Sequence, residues 1–530
     1  MMNFKQYSNV TKIVIPNNLT LSDTVFNNNF YNMKNLQSIE FPDKITKMHN
    51  TFGNCRNLTT AVCGNNVINM LGAYWNCQNL KTAVCGNNVI NMSNAYNRCI
   101  NLTIAVCGNN VTSMDDAYAG CINLTTAVCG ENVTSMFRTY QYCTNLTTAV
   151  CGENVTSMRD AYRGCSKLTT AVCGNNVTSM DGAYEDCRSL TTAVCGNNVT
   201  DMDSAYWNCT NLTTAVCGEN VTGMGNAYKN CINLTTAVCG NNVTYMDNAY
   251  NGCTNLTTAA WGDNITNVTH MYNAYRGCVR LTNIVHGNNV TNICQLYEKV
   301  YNGCNIKIAV CGNNIVDMSK AYQNCYSLTT AACGYNVVNM FYAYSNCRNL
   351  TAAVCGSNVI NMSYAYRNCT NLTTAVCGEN VTDMMFTYWN CRNLTTAVCG
   401  NNVTNMYQAY ANCTNLITAV CGENVTNMSY VYYGCTNIRG NSYFYSNKIN
   451  SPLYYCFNGR NTSNALNIYV HSNTSTLNNL IRMYSGDSII GANITWTDDT
   501  AANNCYYNTS YNIYIYPVDN VAAAREANGD

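Results

Sequence analysis

CINLTTAVCGENVTSMFRTYQY, residues 121–142, is followed at once by CTNLTTAVCGENVTSMRDAYRG, residues 143–164. This 22-residue unit recurs from about residue 10 to about residue 435. Self-similarity at a fixed period of about 20 to 50 residues is typical of an array in which each unit packs against its neighbours. Such an array presents a long surface instead of a single pocket, so the repeat disfavours an enzyme.

Each unit has the pattern of one rung of a solenoid. Ala61 and Cys63 alternate with Thr60 and Val62 as a strand requires, and the Gly-Asn-Asn that follows is a turn signal. Ala73, Tyr74 and Cys77 have the spacing of a short helical turn. We therefore predict a mostly β solenoid with one short strand and one short helical turn per rung.

Several apolar slots recur almost unchanged, and two of them hold cysteine. The first cysteine column starts at Cys55 and runs at the repeat period to Cys435, and the second starts at Cys63 and runs to Cys421. Free cysteine behaves as a small apolar side chain, so we interpret both columns as reduced core ladders instead of disulfides. The structural ladder residues predicted in the first rungs are Leu58, Met70, Tyr74, Cys55, Cys77, Cys99, Cys63, Cys85 and Cys107.

The repeat resembles a known family. The motif L-x-x-(I/A)-x-(P/C)-x-x-V-T-x-(I/M)-x-x-A-(F/Y)-x-x-C is similar to the BspA-like leucine-rich repeat, and NLQSIEFPDKITKM (residues 35–48) is among the closest units. This chain departs from the family by placing Ala and Cys in the strand and Tyr where Phe is usual. The resemblance implies surface recognition and adhesion, and it brings no catalytic residues.

Two regions interrupt the period. Between residues 261 and 311 the spacing stretches to 25 twice, which predicts irregular rungs. After Cys435 the repeat ends, and NITWT (residues 493–497) and YNIYIYPV (residues 511–518) are strand-like. We predict a solenoid of about 19–20 rungs over residues 1–440 and a β-containing capping or attachment domain over residues 441–530, because solenoid ends require caps.

Composition limits the chemistry of the chain. Charged residues make up only 10%, and Lys+Arg and Asp+Glu both number 27, which disfavours nucleic acid or anionic membrane as a partner. No apolar run reaches the ~18 residues of a membrane span, and the N-terminus lacks the apolar stretch of a signal peptide. We find no catalytic constellation, no zinc-like cysteine spacing and no phosphate loop, so we predict no enzyme, metal or cofactor.

Variation between units concentrates in the two residues before and the two after each Ala-Tyr pair, which indicates that these four are exposed. Trp75, Trp207 and Trp389 occupy the same variable slot in three units, and aromatic rings on a weakly charged surface suit sugar stacking or protein contact. His270 and Tyr272, in the irregular segment, complete the candidate ligand-binding residues.

Three non-enzymatic functions fit the sequence. We favour a phage-particle fibre or appendage, made in the cytoplasm without a signal peptide and located on the virion or extracellular surface. The C-terminal stretch resembles the ends of phage-encoded leucine-rich-repeat proteins. Its expected partners are a host-surface protein or carbohydrate and other particle proteins, and a homo-oligomer is compatible with the repeat. A bacterial or protist cell-surface adhesin and an intracellular repeat scaffold are the alternatives.

Overall fold

The computed structural model shows a repeat solenoid in two compact units, Met1–Val268 (unit 1) and Thr269–Asp530 (unit 2). It describes residues 7, 9–18, 26–40, 42–61, 63–261, 268–282, 305–311, 313–449, 456–472, 476–477, 497–498, 506–508 and 512–528. Most of the predicted irregular segment, residues 262–267 and 283–304, lies outside the described residues. His286, which stands in a cysteine slot of the repeat, is also outside the described residues.

Short parallel strands form the sheet of unit 1. They are β1 (Lys12–Val14), β2 (Ser38–Glu40), β3 (Thr82–Val84), β4 (Ile104–Val106), β5 (Thr192–Val194), β6 (Thr214–Val216), β7 (Thr236–Cys239) and β8 (Thr258–Trp261). Thr214 pairs with Thr236, and Thr236 with Thr258, so the strands are in register at the repeat period. Single bridges continue this ladder between β4 and β5. The predicted mostly β solenoid of leucine-rich-repeat type is confirmed.

Unit 2 repeats this arrangement and ends in a mixed sheet. Its strands are β9 (Ile308–Val310), β10 (Thr330–Ala332), β11 (Val420–Cys421), β12 (Gly440–Phe444), β13 (Leu466–His471), β14 (Thr497–Asp498), β15 (Tyr506–Asn508) and β16 (Ile513–Val518), followed by helix α1 (Val521–Ala527). The sheet order is β11-β12-β13-β16-β15-β14, parallel as far as β16. The boundary between the solenoid and the capping domain, placed between residues 440 and 441, stays a prediction. Strand β12 includes residues on both sides of it.

The return segment of each rung is a series of tight turns that bond alternately within the rung and to the next one. The N–H of Ala161 donates to the carbonyl of Met158 in the same rung at 2.9 Å. The N–H of Tyr162 donates instead to Ala183 of the next rung at 2.8 Å. The predicted helical turn is thus closed by bonds between residues three apart, and every second N–H links neighbouring rungs.

One column of tyrosines fills the core. Tyr140, Tyr162 and Tyr184 are fully buried, and consecutive rings stack with centroids 5.4 and 5.5 Å apart. Offset stacking at this separation is favourable for aromatic rings. Leu58, Met70 and Tyr74 are fully buried, and the first-column residues Cys55, Cys77 and Cys99 lie beside them without exposure. Cys85 and Cys107 of the second column are slightly exposed and Cys63 is half-buried, so this column lies at the edge of the core.

The first cysteine column supplies hydrogen-bond donors to the core. The Cys187 thiol donates to the carbonyl of Tyr162 in the preceding rung at 3.1 Å, and Cys121 donates in the same way to Tyr96. All 32 cysteines for which the structure gives a state are free. The Tyr162 carbonyl also accepts from the N–H of Cys165 at 3.0 Å, so the thiol supplies its second hydrogen bond in addition to filling space.

Replacing Cys187 tests this role. We expect Cys187→Ala to lower the free energy of unfolding by ~2 kcal/mol, because the Tyr162 carbonyl loses one of its two donors and a small cavity opens. Cys187→Ser keeps an O–H donor and should cost less. Guanidinium midpoints measured under reducing conditions compare the two variants, and equal losses would show that the thiol acts only by its volume.

Stability should fall in alkali. Burial raises the pKa of Cys99 and Cys195 from an ordinary value of 9.0 to about 12, and it raises the pKa of the buried tyrosines as well. Above pH ~9 the unfolded chain loses thiol protons that the folded chain retains, so stability is full below that pH and decreases towards pH 12. Circular dichroism melts between pH 7 and 11 should show this decrease. A midpoint that stays constant across the range would contradict the raised pKa values.

Candidate functional site

The variable residues around each Ala-Tyr pair lie together on one face, which we call the turn face. In each such rung the residue before Ala-Tyr and the second residue after it have positive φ, as at Asp160 (53°) and Gly164 (76°). Gly, Asn and Asp tolerate this left-handed conformation best. Unit 1 mostly follows that rule, with Asn94, Asp116, Asp160, Gly182, Asn226 and Asn248 before the pair.

Unit 2 places bulky aromatic residues in the same strained position. Tyr342, Tyr364, Phe386 and Tyr430 have φ values between 53° and 60°. The left-handed conformation costs an ordinary L-residue ~1–2 kcal/mol, and strain of this kind clusters at functional sites. The turn face of unit 2 therefore carries large rings at positions where the backbone favours small polar residues.

These rings form a continuous surface feature, the aromatic stripe, defined as Phe341, Tyr342, Tyr364, Phe386, Tyr407 and Tyr430. Tyr342 stacks on Tyr364 with centroids 4.4 Å apart, and Tyr364 stacks on Phe386 at 4.8 Å. Phe341 meets Tyr342 edge-on at 4.6 Å, and Tyr407 meets Phe386 edge-on at 5.4 Å. All six side chains are partly exposed. The stripe is thus an ordered apolar surface within reach of a partner.

An arginine–tryptophan pair lies beside the stripe. The guanidinium carbon of Arg367 lies 4.8 Å from the centroid of the Trp389 ring, and both side chains are half-buried. Burial raises the pKa of Tyr364, and the nearby Arg367 partly opposes that rise. Arg367 therefore connects Trp389 electrostatically to the stripe.

The turn face of unit 1 is charged instead. Arg159 pairs with Asp181 at 3.2 Å, and Arg163 pairs with Glu185 at 3.0 Å. Burial raises the pKa of Asp181 and of Glu185, and the paired arginines oppose that rise. Within these two pairs the charges compensate one another.

A further face carries shallow clefts lined by asparagine and threonine. One cleft, of about 790 Å³, runs along unit 1 from Asn154 to Asn242. Its polar groups already bond between rungs, since Asn176 donates to the Glu153 carbonyl at 2.8 Å and Thr178 donates to the Thr156 carbonyl at 3.2 Å. A ligand there would meet side chains that already use one donor each to join neighbouring rungs.

The residues predicted from the sequence are not brought together. Trp75 and Trp207 are half-buried on unit 1, six rungs apart, and Lys229 Nζ lies 4.6 Å from the centroid of the Trp207 ring. Trp389 belongs to unit 2, as do the exposed Tyr272 and His270, whose Nδ1 lies 2.8 Å from Thr269 Oγ1. Only Trp389 lies beside the stripe, and ligand binding by these five residues stays a prediction.

Sequence reasoning missed the stripe itself, although a signal was present. The residues before Ala-Tyr change from Asn, Asp and Gly in the first half to Tyr and Phe in successive rungs of the second half. Within the described residues, no three His, Cys, Asp or Glu side chains are grouped to hold a metal ion. In that same part of the chain, no helix is both long and apolar enough to cross a bilayer.

Comparison with known families supports the repeat pattern. The model of the BspA type leucine rich repeat region matches residues 2–125, 93–213, 137–257, 246–373 and 340–464, which together cover most of the chain. The chain belongs to this family. A search of curated proteins finds no match. The core columns and turn face described above are thus features of a BspA-type leucine-rich repeat protein.

Solved structures similar to this chain include other leucine-rich repeat proteins. One from Bacteroides ovatus is 15% identical, with 66% of this chain and 85% of that chain covered and a TM-score of 0.40. A leucine rich cell surface protein from Faecalibacterium prausnitzii is 16% identical, with 90% and 92% covered and a TM-score of 0.22. Because these identities and scores are low, the family assignment depends on the repeat model.

Substituting a ring of the stripe should leave the fold intact. In Tyr364→Asn the relief of left-handed strain, ~1 kcal/mol, offsets part of the loss of two ring stacks worth ~0.5–1.5 kcal/mol each. We expect the free energy of unfolding to change by less than ~2 kcal/mol. Tyr366→Asn, two residues away in the buried column, should cost more than ~3 kcal/mol. Equal losses in denaturant titrations would show that the stripe belongs to the structural core.

Proposed function

We propose that this chain is a non-catalytic recognition protein that binds a protein partner through the aromatic stripe of unit 2. The observation that carries this proposal is the run of strained, partly exposed rings at successive rungs, beginning at Tyr342 (φ 56°), Tyr364 (φ 60°) and Phe386 (φ 53°). An aromatic residue in the left-handed backbone conformation lowers the stability of the fold. The repetition of such residues at these positions therefore points to selection for a property other than stability.

The orientation of the rings favours a protein over a carbohydrate. A sugar stacks on an exposed aromatic face, whereas both faces of Tyr364 are occupied by Tyr342 and Phe386. One face of Trp389 is covered by Arg367. The stripe therefore offers mainly ring edges, and ring edges pair well with the aromatic faces of another protein.

The composition and size of the stripe also suit a protein interface. Tyr, Trp and Arg are the residues most enriched among interface hot spots. From Tyr342 to Tyr430 the stripe spans four rung steps, which is about 19 Å at a strand spacing of ~4.8 Å. A patch of that length matches the central anchor of an interface of ordinary size.

The proposal also includes where the protein is located. We propose the phage-particle fibre that the sequence favours, with a cell-surface adhesin as the alternative. Both would use an extended repeat with a recognition surface and a separate piece, residues 441–530, for capping or attachment. Mass spectrometry of purified particles and of washed cell envelopes distinguishes the two, and absence of the chain from particles would remove the first.

Binding to cells tests the recognition surface. We expect the labelled full-length chain to bind intact bacterial or epithelial cells by flow cytometry, and the Tyr342→Asn/Tyr364→Asn/Phe386→Asn variant to bind about tenfold or more weakly. Protease treatment of the cells should abolish binding, whereas periodate oxidation of their glycans should not. Binding that is lost only after periodate treatment would favour a carbohydrate ligand.

Tyr335→Asn is the matched control for this experiment. Tyr335 is 66% exposed, and it lies in the Gly-Asn-Asn turn, where most other rungs have Asn or Glu. This substitution also replaces an exposed tyrosine by asparagine, but on another face, so binding should be unchanged. Equal loss in the control and the stripe variant would show that the stripe has no special part in recognition.

A further inference from the structure

Sulfur atoms of two residue types lie in contact along the edge of the core. In unit 2 the thiol of the second cysteine column lies 3.6 to 4.0 Å from a methionine sulfur in five successive rungs. These Cys–Met pairs are Cys311–Met318, Cys333–Met340, Cys355–Met362, Cys377–Met384 and Cys399–Met406. We call this arrangement the sulfur ladder.

The ladder also connects neighbouring rungs. In unit 1, Met202 Sδ lies 3.5 Å from Cys195 Sγ in its own rung and 3.9 Å from Cys217 Sγ in the next, and Cys217 in turn lies 3.7 Å from Met224. Three sulfurs around a metal with bonds of ~2.3 Å would lie about 4.0 Å apart. The observed cysteine–methionine separations are close to that value, so the folded chain already holds each thiol and its neighbouring thioether at a distance that one ion could bridge.

The second column is available for such chemistry in a way that the first is not. First-column thiols are fully buried and donate to a carbonyl, as Cys369 does to Tyr344 at 3.2 Å. Cys333, Cys355, Cys377 and Cys399 are instead partly exposed. The Cys377 thiol, for example, lies at a long 3.6 Å from the carbonyl of Gly378 and at 3.7 Å from the Met384 sulfur, so its hydrogen bond to the backbone is weaker than those of the first column.

The donor set selects the class of ion. Thiolate and thioether are soft ligands that suit copper(I), zinc and iron–sulfur clusters, whereas carboxylate suits harder ions, so the choice among soft ions depends on charge. Among the described residues, no carboxylate or imidazole completes a group of three ligands with these cysteines. One thiolate and one monovalent ion are together neutral, so they can enter an apolar edge where a divalent ion would leave an uncompensated charge.

We propose that the sulfur ladder binds soft monovalent metal ions of the copper(I) class, each held by a cysteine thiolate and neighbouring methionine thioethers. The reaction at each pair is Cys–SH + Cu⁺ → Cys–S–Cu + H⁺, with no change of oxidation state and with the proton released to solvent. Because each thiol gives up a proton when it binds the ion, binding strengthens as pH rises.

Anaerobic titration of the reduced full-length chain with copper(I), against a chromophoric copper(I) chelator, tests the proposal. We expect several ions per chain, release of about one proton for each ion, and X-ray absorption with sulfur neighbours only, at about 2.3 Å. Oxygen or nitrogen ligation would overturn the assignment, as would binding of the same strength to the chain unfolded in guanidinium.

Methionine substitutions separate the ladder from general thiol binding. Met362→Leu/Met384→Leu/Met406→Leu conserves volume, so the fold should remain, whereas affinity at these rungs should fall about tenfold or more. Leu350→Ile/Leu372→Ile/Leu394→Ile is the matched control, since these leucines are also fully buried in the same three rungs but carry no sulfur. Unchanged affinity in the triple variant, or an equal loss in the control, would overturn the proposal.

Discussion

The register of 22 residues between neighbouring rungs is the constraint on which the rest of the structure depends. It pairs Thr214 with Thr236 in the sheet and joins Tyr162 to Ala183 in the return segment. Because each backbone group meets its equivalent in the next rung, each core side chain meets its equivalent too. The tyrosine stack and both cysteine columns follow directly from that register, and a shift by one residue would break all of them together.

The same register explains why the core could be predicted from the sequence and the site could not. Leu58, Met70 and Tyr74 recur almost unchanged, and invariance between copies identifies packed positions without a structure. The left-handed conformation of Tyr364 depends on which N–H groups bond to the next rung. That bonding pattern cannot be deduced from the repeat sequence. The sequence drew attention to three tryptophans, whereas the strained rings occupy the slot before Ala-Tyr.

A solenoid of this kind separates stability from recognition within a single rung. The inward residues are nearly constant, so the turn face can change its chemistry while the backbone is maintained. Unit 1 uses that freedom for compensated ion pairs such as Arg159–Asp181, and unit 2 uses it for stacked rings. Left-handed strain at an aromatic ring is tolerable here because the many bonds of adjacent rungs hold the backbone in place.

The two cysteine columns show how position within the rung decides the chemistry of one residue type. A first-column thiol is fully buried and donates a hydrogen bond to a backbone carbonyl, as Cys187 does. A second-column thiol lies at the core edge against a thioether, as at Cys377 beside Met384. Composition alone reports thirty-six cysteines and suggests disulfides. The fold divides them into structural donors and an accessible row of soft ligands, because burial and nearest neighbours differ between the columns although the residue does not.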